Sequence, residues 1–311
     1  MTQDQDFIIE VDRLTKRYGQ VIAVNNVSFR VKRGELFGFL GPNGAGKTTT
    51  VRILTGVIKA DEGSALISGY QAGSLKAKQK ASVVPEMANA YLDLSGWSNL
   101  MLMAELYGVP SRTAHERGSR LLQEVGLFER KESLVKGYSK GMKQRLILGM
   151  SLISDPQILF LDEPTSGLDV QSSRLIKNLI QSLNTEGKTI FLTSHNMDEA
   201  NQLCNRVAII NRGRMVALDA PEKLKAATSS LHSVEVSFDG TIDSELLAKL
   251  PGVSTVKKVG DKFKLYTADP GQLVTLLVNY SSSNGLRIVS LNTLTPSLED
   301  AFVALVDKGA H

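Results

Sequence analysis

This sequence of 311 residues has a single cysteine, no long apolar run and no N-terminal segment that resembles a secretory leader. Cys204 is its one thiol, so no internal disulfide can form, and its neighbours lack the repeated Cys/His spacing of a zinc site. We interpret Cys204 as a small buried residue in a reducing compartment. The N-terminus, MTQDQDFIIE, has neither the basic start nor the apolar core of a signal peptide. No window reaches the roughly 18 apolar residues of a membrane-spanning helix, so we expect any membrane to be reached through a partner.

A strong charge of one sign is also missing. The formal net charge is +4, and the basic residues are scattered along the chain. A nucleic-acid-binding protein usually carries a stronger and more clustered basic footprint. Hydrophobic residues make up 42% of the chain, which is enough for a sizeable core and excludes a disordered protein. We therefore expect a folded protein that does not bind nucleic acid.

The apolar pattern predicts an α/β fold. Residues 7–14 and Val21–Val31 read as two first strands, and ELFGFL, ILFLDE and KTIFLTS are short continuous apolar runs. Such runs are typical of strands that are buried on both faces. They alternate with segments of helical spacing, and this order favours a largely parallel sheet with helices on its faces. Residues 92–150 read as mostly helical, so we expect a helical subdomain over about residues 87–150.

The composition changes near residue 225. The segment AATSSLHS, residues 226–233, is small and polar and predicts a linker. Beyond it, strands and helices follow in the order β-α-β-β-α-β, which predicts a small α+β domain of the ferredoxin-like kind. We therefore predict two domains, residues 1–225 and residues 226–311.

The segment GPNGAGKTT carries the clearest chemical signal. It follows an apolar strand and opens a helix, which is the context that a phosphate-binding loop requires. Glycines leave the backbone N–H groups free to approach phosphate oxygens, and the helix N-terminus adds a positive end. Lys47 places a charge on the β- and γ-phosphates, as a binding and a catalytic group, and Thr48 offers a hydroxyl to Mg²⁺. The predicted nucleotide-binding loop consists of Gly41, Pro42, Asn43, Gly44, Ala45, Gly46, Lys47, Thr48 and Thr49.

Two carboxylates and a histidine complete a hydrolytic pattern. The strand ILFLDE ends in Asp162 and Glu163, and the strand KTIFLTS is followed by His195. Asp162 can hold Mg²⁺ opposite Thr48, and Glu163 can polarise an attacking water as general base. His195 is predicted to contact the γ-phosphate and fix that water. Without the phosphate loop, solvated acids at a strand end and an exposed histidine would explain the same residues.

Tyr18, in the segment LTKRYG, is a candidate for stacking on adenine. An ordinary packed tyrosine is the alternative.

Taken together, these residues resemble the ATP-binding subunit of an ABC transporter, over roughly residues 7–225. The most distinctive segment is YSKGMKQR, residues 138–145, which is similar to the signature of that family, and PTSGLD, residues 164–169, is similar to its D-loop. The resemblance implies a P-loop NTPase fold and a head-to-tail dimer with two ATP molecules between the subunits. Ser139 and Gly141 would then touch the γ-phosphate of ATP bound to the second subunit, and Asp169 would cross the dimer interface.

Two positions depart from the family pattern. Lys140 and Met142 stand where the commonest signature, LSGGQ, has Gly and Gln. Glu86, in SVVPE, stands where the family usually has a Gln that meets Mg²⁺ and senses the transmembrane partner. A carboxylate can still reach the metal, so Glu86 is kept as a predicted metal ligand. Both variants, and the C-terminal extension, resemble the branch that exports drugs, antibiotics and other hydrophobic compounds.

The resemblance implies an ATPase that powers transport through a separate transmembrane permease, at the cytoplasmic face of the membrane. Trp97 and the Met-rich helix after Glu86 would receive the permease, although ordinary helix packing explains those side chains too. Three alternatives are weaker. A ribosome- or nucleic-acid-directed ABC ATPase usually has two cassettes in one chain, a small-molecule kinase needs no signature segment, and a silent subunit would not need Glu163.

Overall fold

The computed structural model describes residues 6–86, 90–227, 232–240 and 242–308. The chain divides into two compact units, Met1–Ala220 and Pro221–His311. The predicted domain boundary at residue 225 lies five residues beyond this division. The predicted linker, and the start of the predicted helical subdomain at residues 87–89, lie partly outside the described residues.

The first unit alternates strands and helices as predicted. Numbered in chain order, its strands are β1 (Phe7–Tyr18), β2 (Val21–Lys32), β3 (Leu36–Leu40), β4 (Glu62–Ile67), β5 (Tyr70–Gln71), β6 (Ala81–Val84), β7 (Ile158–Asp162), β8 (Thr189–Ser194), β9 (Arg206–Asn211) and β10 (Arg214–Asp219). Its helices are α1 (Lys47–Leu54), α2 (Leu75–Lys78), α3 (Gly96–Leu106), α4 (Ser111–Glu124), α5 (Lys140–Leu152), α6 (Val170–Thr185) and α7 (Met197–Leu203).

The predicted parallel sheet is confirmed. Six strands lie in the order β10-β9-β3-β8-β7-β6, and all neighbours except β10 and β9 pair in parallel. Every residue of β3, β7 and β8 is buried. The continuous apolar runs in the sequence therefore reflect strands that are covered on both faces. Because these strands are parallel, their carboxyl ends meet at one edge of the sheet.

A second, antiparallel sheet in the order β2-β1-β4-β5 covers part of the first. Phe29 of β2 lies against Phe37, Phe39 and Phe191 of the parallel sheet, with ring centroids 5.5 to 5.9 Å apart. This aromatic cluster marks the core between the two sheets. The predicted first strand was too short, because β1 continues through the polar residues 15–18 and stays paired with β2 past irregularities in its register.

The helical segment between β6 and β7 consists mainly of α3, α4 and α5. Trp97 and Met101 of α3 lie against Gly118 of α4, where an added Cβ would stand 2.6 Å from the Met101 Cε atom. The indole of Trp97 also meets the His115 ring of α4 edge-on at 5.5 Å. Trp97 and Met101 thus take part in helix packing, and both stay partly exposed.

The second unit consists of α8 (Pro221–Ala226), β11 (His232–Phe238), α9 (Ser244–Ala248), β12 (Val253–Val259), β13 (Lys262–Thr267), α10 (Pro270–Ser283), β14 (Ile288–Leu294) and α11 (Leu298–Lys308). Its strands form an antiparallel sheet in the order β12-β13-β11-β14. This is the strand order of the predicted ferredoxin-like arrangement. Apolar residues of the sheet and of α10, such as Val234, Leu265 and Leu277, form the core of this unit.

A buried carboxylate anchors α11 to this sheet. Asp300 accepts hydrogen bonds from the Tyr266 hydroxyl at 2.6 Å, from Lys264 Nζ at 2.9 Å and from the Ser297 hydroxyl at 2.7 Å. Burial by itself raises the pKa of Asp300, but these hydrogen bonds outweigh it and hold the pKa below its ordinary value. Across the described parts of both units, no helix has the length and apolar character needed to cross a membrane.

Candidate active site

The phosphate loop lies where β3 ends and α1 begins. Gly44 and Gly46 have φ angles of +80° and +107°, which side chains with a Cβ rarely adopt. A Cβ on Gly46 would stand 2.3 Å from the Ala23 carbonyl oxygen, and one on Gly41 would stand 2.2 Å from the Ile210 carbonyl oxygen. The loop is thus held between β2 and β9 so closely that only glycine fits at these two positions.

Lys47 points into the loop from the first turn of α1. Its side chain is 6% exposed, and its ammonium donates to the carbonyl oxygens of Gly41 at 2.7 Å and Pro42 at 3.3 Å. It also lies 3.2 Å from Glu163 Oε1. A buried cation held by carbonyl oxygens and one carboxylate is placed to meet an anion that enters the loop.

Glu163 follows β7 with a φ angle of +51°, in the left-handed region that costs a non-glycine residue about 1–3 kcal/mol. Its N–H donates to both the carbonyl oxygen and the hydroxyl of Thr193, at 3.2 and 3.1 Å. Its Oε2 lies 2.8 Å from His195 Nδ1, while the His195 side chain is 51% exposed. The backbone therefore turns the Glu163 carboxylate away from the strand and between Lys47 and His195.

Asp162 lies deeper, at the last residue of β7, and is 2% exposed. It accepts a hydrogen bond of 2.5 Å from the Thr193 hydroxyl. The pairing of β7 with β8 sets Asp162 beside Thr193. Thr193 therefore touches both predicted acidic residues, and sequence reasoning missed it because the contact depends on strand pairing and not on spacing along the chain.

Lys47, Glu163 and His195 border one cleft of about 320 Å³, whereas Asp162 does not line it. Ala23 and Ser166 also line it. Ser166 lies within PTSGLD but was not among the predicted site residues, and no sequence motif points to Ala23. Ser166 is held by its N–H, which donates to the Glu163 carbonyl oxygen at 3.1 Å. The predicted residues that line the cleft are Asn43, Gly44, Ala45, Gly46, Lys47, Thr48, Thr49, Glu86, Glu163 and His195.

The signature segment is not brought to this cleft. Ser139 caps α5, where its hydroxyl accepts from the Met142 N–H at 3.2 Å, and Asp169 caps α6 in the same way through Ser172. Gly141 packs directly on Ser172, where an added Cβ would stand 2.1 Å from the Ser172 hydroxyl. Ser139, Gly141 and Asp169 thus belong to one pair of contacting helix ends, and none of them lines the cleft.

The charge of Asp169 is stabilised where it stands. Its carboxylate accepts from the Ser172 N–H at 2.8 Å and from the Ser172 hydroxyl at 2.7 Å. These hydrogen bonds hold the pKa of Asp169 below its ordinary value. Asp169 is therefore an exposed, ionised acceptor at the start of α6.

Of the two remaining predicted residues, Glu86 lines the cleft and Tyr18 does not. Tyr18 ends β1, is 48% exposed and does not line the cleft, and the Lys16 ammonium lies 5.7 Å from its ring centroid. Glu86 is exposed and borders the cleft. In the described part of the chain, no three His, Cys, Asp or Glu side chains come together as a metal-binding cluster.

The chain is similar to known proteins both in sequence and in fold. The sequence profile of the ABC transporter family matches residues 24–166. The chain is 34% identical over 307 residues to the linearmycin resistance ATP-binding protein LnrL of Bacillus subtilis, and the match covers 97% of this chain and 99% of LnrL. It is 44% identical over 237 residues to a fluoroquinolones export ATP-binding protein of Mycobacterium tuberculosis, covering 75% and 77% of the two chains. A solved ATP-binding subunit of an ABC transporter superposes with a TM-score of 0.65 at 28% identity, over 71% of this chain and 93% of that structure.

Proposed function

We propose that this chain, which belongs to the ABC transporter family as an ATP-binding subunit of the ATPase kind that powers transport, binds ATP with Mg²⁺ in its cleft. A second copy of the chain completes the cleft. Hydrolysis of the ATP drives export through a separate membrane protein. The observation that carries this proposal is the convergence of Lys47, Glu163 and His195 on one cleft behind a glycine-rich loop.

The loop and Lys47 bind the phosphates. The Lys47 ammonium is held by two carbonyl oxygens and by Glu163. Phosphate oxygens are stronger acceptors for an ammonium than carbonyl oxygens are. We therefore infer that Lys47 leaves these partners for the β- and γ-phosphates. The exposed ring of Tyr18 is free to stack on the adenine, outside the cleft that holds the phosphates.

The oxygen donors of the cleft fit Mg²⁺. Mg²⁺ prefers a few protein oxygens together with phosphates and waters to a complete protein cage. The Thr48 hydroxyl and the Glu86 carboxylate border the cleft, and Asp162 lies behind it with its position fixed by Thr193. These three residues would hold the ion, which would neutralise phosphate charge. Glu86 keeps the oxygen donor that the usual Gln supplies and adds a negative charge.

Hydrolysis rests on Glu163 and His195. A general base must reach the water that attacks the γ-phosphate. Glu163 has a strained backbone conformation, and its contacts with Lys47 and His195 fix the direction of its carboxylate. Once Lys47 turns to the phosphates, Glu163 is free to accept a proton from water. His195, half exposed at the rim, positions that water and the γ-phosphate.

The second copy supplies the signature. Ser139, Gly141 and Asp169 lie outside their own chain's cleft. Ser139 and Asp169 are exposed at the starts of α5 and α6, while Gly141 is buried against Ser172. N–H groups at the start of α5 are a suitable second site for the γ-phosphate. A head-to-tail dimer brings the α5 terminus of one copy to the phosphate loop of the other. Asp169 then bridges the two sites.

The names of similar proteins support a proposal for the partner and the class of cargo. Relatives are named for resistance to linearmycin and for fluoroquinolone export. We propose that this chain powers export of a hydrophobic compound and sits at the cytoplasmic face of the membrane by binding a permease. In this proposal residues 226–311 form an accessory domain, and nucleic acid is not a partner.

Release of free phosphate tests the proposal. The full chain with ATP and Mg²⁺ is expected to release phosphate without phosphorylating a small-molecule acceptor. Lys47→Ala should abolish ATP binding and release, whereas Lys59→Ala, which removes an exposed lysine just beyond α1, should not. Equal phosphate release by wild type and Lys47→Ala would refute the proposed site.

A further inference from the structure

One buried carboxylate near the cleft has no part in the proposed chemistry. Glu199 lies on α7 and is 4% exposed. Its Oε1 accepts from the Thr165 hydroxyl at 2.8 Å, and its Oε2 accepts from the Ser194 hydroxyl at 3.1 Å. It does not line the cleft. Glu199 therefore joins two segments that are 29 residues apart in the chain and that both border the cleft.

Each of the two hydroxyls belongs to a turn that carries a reacting group. Thr165 lies two residues after Glu163, in a turn closed by the Ser166 N–H that donates to the Glu163 carbonyl oxygen. Ser194 directly precedes His195, and its hydroxyl also accepts from the Asn196 N–H at 3.0 Å. The two turns are therefore connected twice: directly, by the contact between Glu163 and His195, and by a second, parallel connection in which Glu199 binds the Thr165 and Ser194 hydroxyls.

The parallel connection has a fixed geometry. The Glu199 N–H donates to the Asn196 side chain at 3.1 Å, which places Glu199 in the capped first turn of α7. A negative charge is favoured in that turn by the helix dipole. The carbonyl oxygen of Ser194 accepts from the Gly41 N–H at 3.4 Å, so the phosphate loop is joined to this turn through the backbone and not through Glu199.

Packing alone does not account for this residue. The side-chain partners of Glu199 in the described chain are two neutral hydroxyls. A buried carboxylate without a cation is expensive, and an apolar residue of similar size would fill the same space at lower cost. The position instead suits a group that must hold two hydroxyls at once, one on each side.

We propose that Glu199 is a positioning residue, which holds the 163–166 turn and the 194–196 turn in register so that Glu163 and His195 face the same water. The proposal rests on the hydrolytic function proposed above and adds a residue to it. It assigns Glu199 no contact with ATP. Loss of Glu199 should therefore slow turnover and leave nucleotide binding in place.

Steady-state ATP hydrolysis by the full chain tests this. Glu199→Gln keeps the size of the side chain but cannot accept both hydroxyl bonds with two carboxylate oxygens. Since a misplacement of about 1 Å can slow catalysis by about 100-fold, we expect kcat to fall by about 10- to 100-fold. The KM for ATP should stay within about twofold of wild type, because the phosphate loop and Lys47 are untouched.

Matched variants separate positioning from stability. Asp198→Asn removes the same charge from the exposed neighbour on the same helix and should leave kcat unchanged. Thr165→Val should lower kcat as Glu199→Gln does, and Thr165→Ser, which restores the hydroxyl, should recover it. The double variant Thr165→Val with Glu199→Gln should be no slower than the slower single variant, because both break one connection.

Two results would overturn the proposal. One is a wild-type kcat in Glu199→Gln. The other is a parallel loss of kcat, ATP affinity and melting temperature, which would mark Glu199 as part of the general framework of the fold. A wild-type chain that hydrolyses no ATP would instead refute the proposed function, so the two failures are distinguishable.

Discussion

Replacing Glu163 by Gln removes one charge from the centre of the cleft and keeps its shape. The structure places Oε1 of this side chain 3.2 Å from Lys47 Nζ and Oε2 2.8 Å from His195 Nδ1. The amide retains a hydrogen-bonding oxygen but can no longer accept a proton from water. ATP binding should survive, because the loop is unchanged and Lys47 loses a competing anionic partner.

The expected size of the effect follows from the role of a general base. Proton transfer by a positioned side chain contributes about 10²- to 10⁴-fold to a rate. At 1.36 kcal/mol for each tenfold change, this corresponds to about 3–5 kcal/mol of transition-state stabilisation. We therefore expect Glu163→Gln to lower kcat for phosphate release by at least about 100-fold, with no loss of ATP affinity.

Phosphate release and equilibrium ATP binding are measured on the same preparations. Glu105→Gln, on the exposed side of α3, is the matched control and should behave as wild type. Because the unhydrolysed nucleotide stays bound, Glu163→Gln should also accumulate as an ATP-bound dimer. Turnover near the wild-type rate in Glu163→Gln would refute the assignment of Glu163 as the base.

Three further outcomes are expected. Gly141→Ala should abolish hydrolysis and keep ATP binding, because its Cβ would stand 2.1 Å from the Ser172 hydroxyl and distort the signature; normal turnover in phosphate-release assays would contradict this. Asp300→Asn should lower the free energy of unfolding of the second unit by about 1–3 kcal/mol at neutral pH, as measured by denaturant titration of the full chain. Since the folded pKa of Asp300 is lowered, its contribution is present above the ordinary value of 3.8 and is lost as the pH falls through the folded pKa, so the deficit of the variant should shrink at acid pH. Cys204 is buried, and its thiol pKa is raised mainly by burial and further by the nearby carboxylates of Glu199 and Glu35. Thiol reagents should therefore modify Cys204 at neutral pH only after unfolding. Rapid labelling of the native chain would show that Cys204 is not buried.

Features that depend on local order were accessible to sequence reasoning. The phosphate loop lies between a buried strand and a helix, and the acids of ILFLDE end a strand, because these relations are set by neighbours along the chain. The continuous apolar runs predicted the parallel sheet for the same reason.

Features that depend on strand pairing were not accessible. Thr193 meets Asp162 and Glu163 only because β7 and β8 pair in a particular register, and Glu199 meets Thr165 only because α7 packs beside the turn after β7. Ala23 reaches the cleft from a different sheet. No spacing rule in one sequence signals such contacts. The extension of β1 to Tyr18 was missed because polar residues can continue a strand wherever a partner strand supplies hydrogen bonds.

The central claim is that the cleft of one chain is completed by the signature of another. It predicts complementation between two inactive variants, Lys47→Ala and Gly141→Ala. In a mixed head-to-tail dimer, one cleft carries both defects and the other carries neither. Random pairing makes half of the dimers mixed, so an equal mixture should recover about a quarter of the wild-type rate of phosphate release. A mixture no more active than either variant alone would contradict the claim.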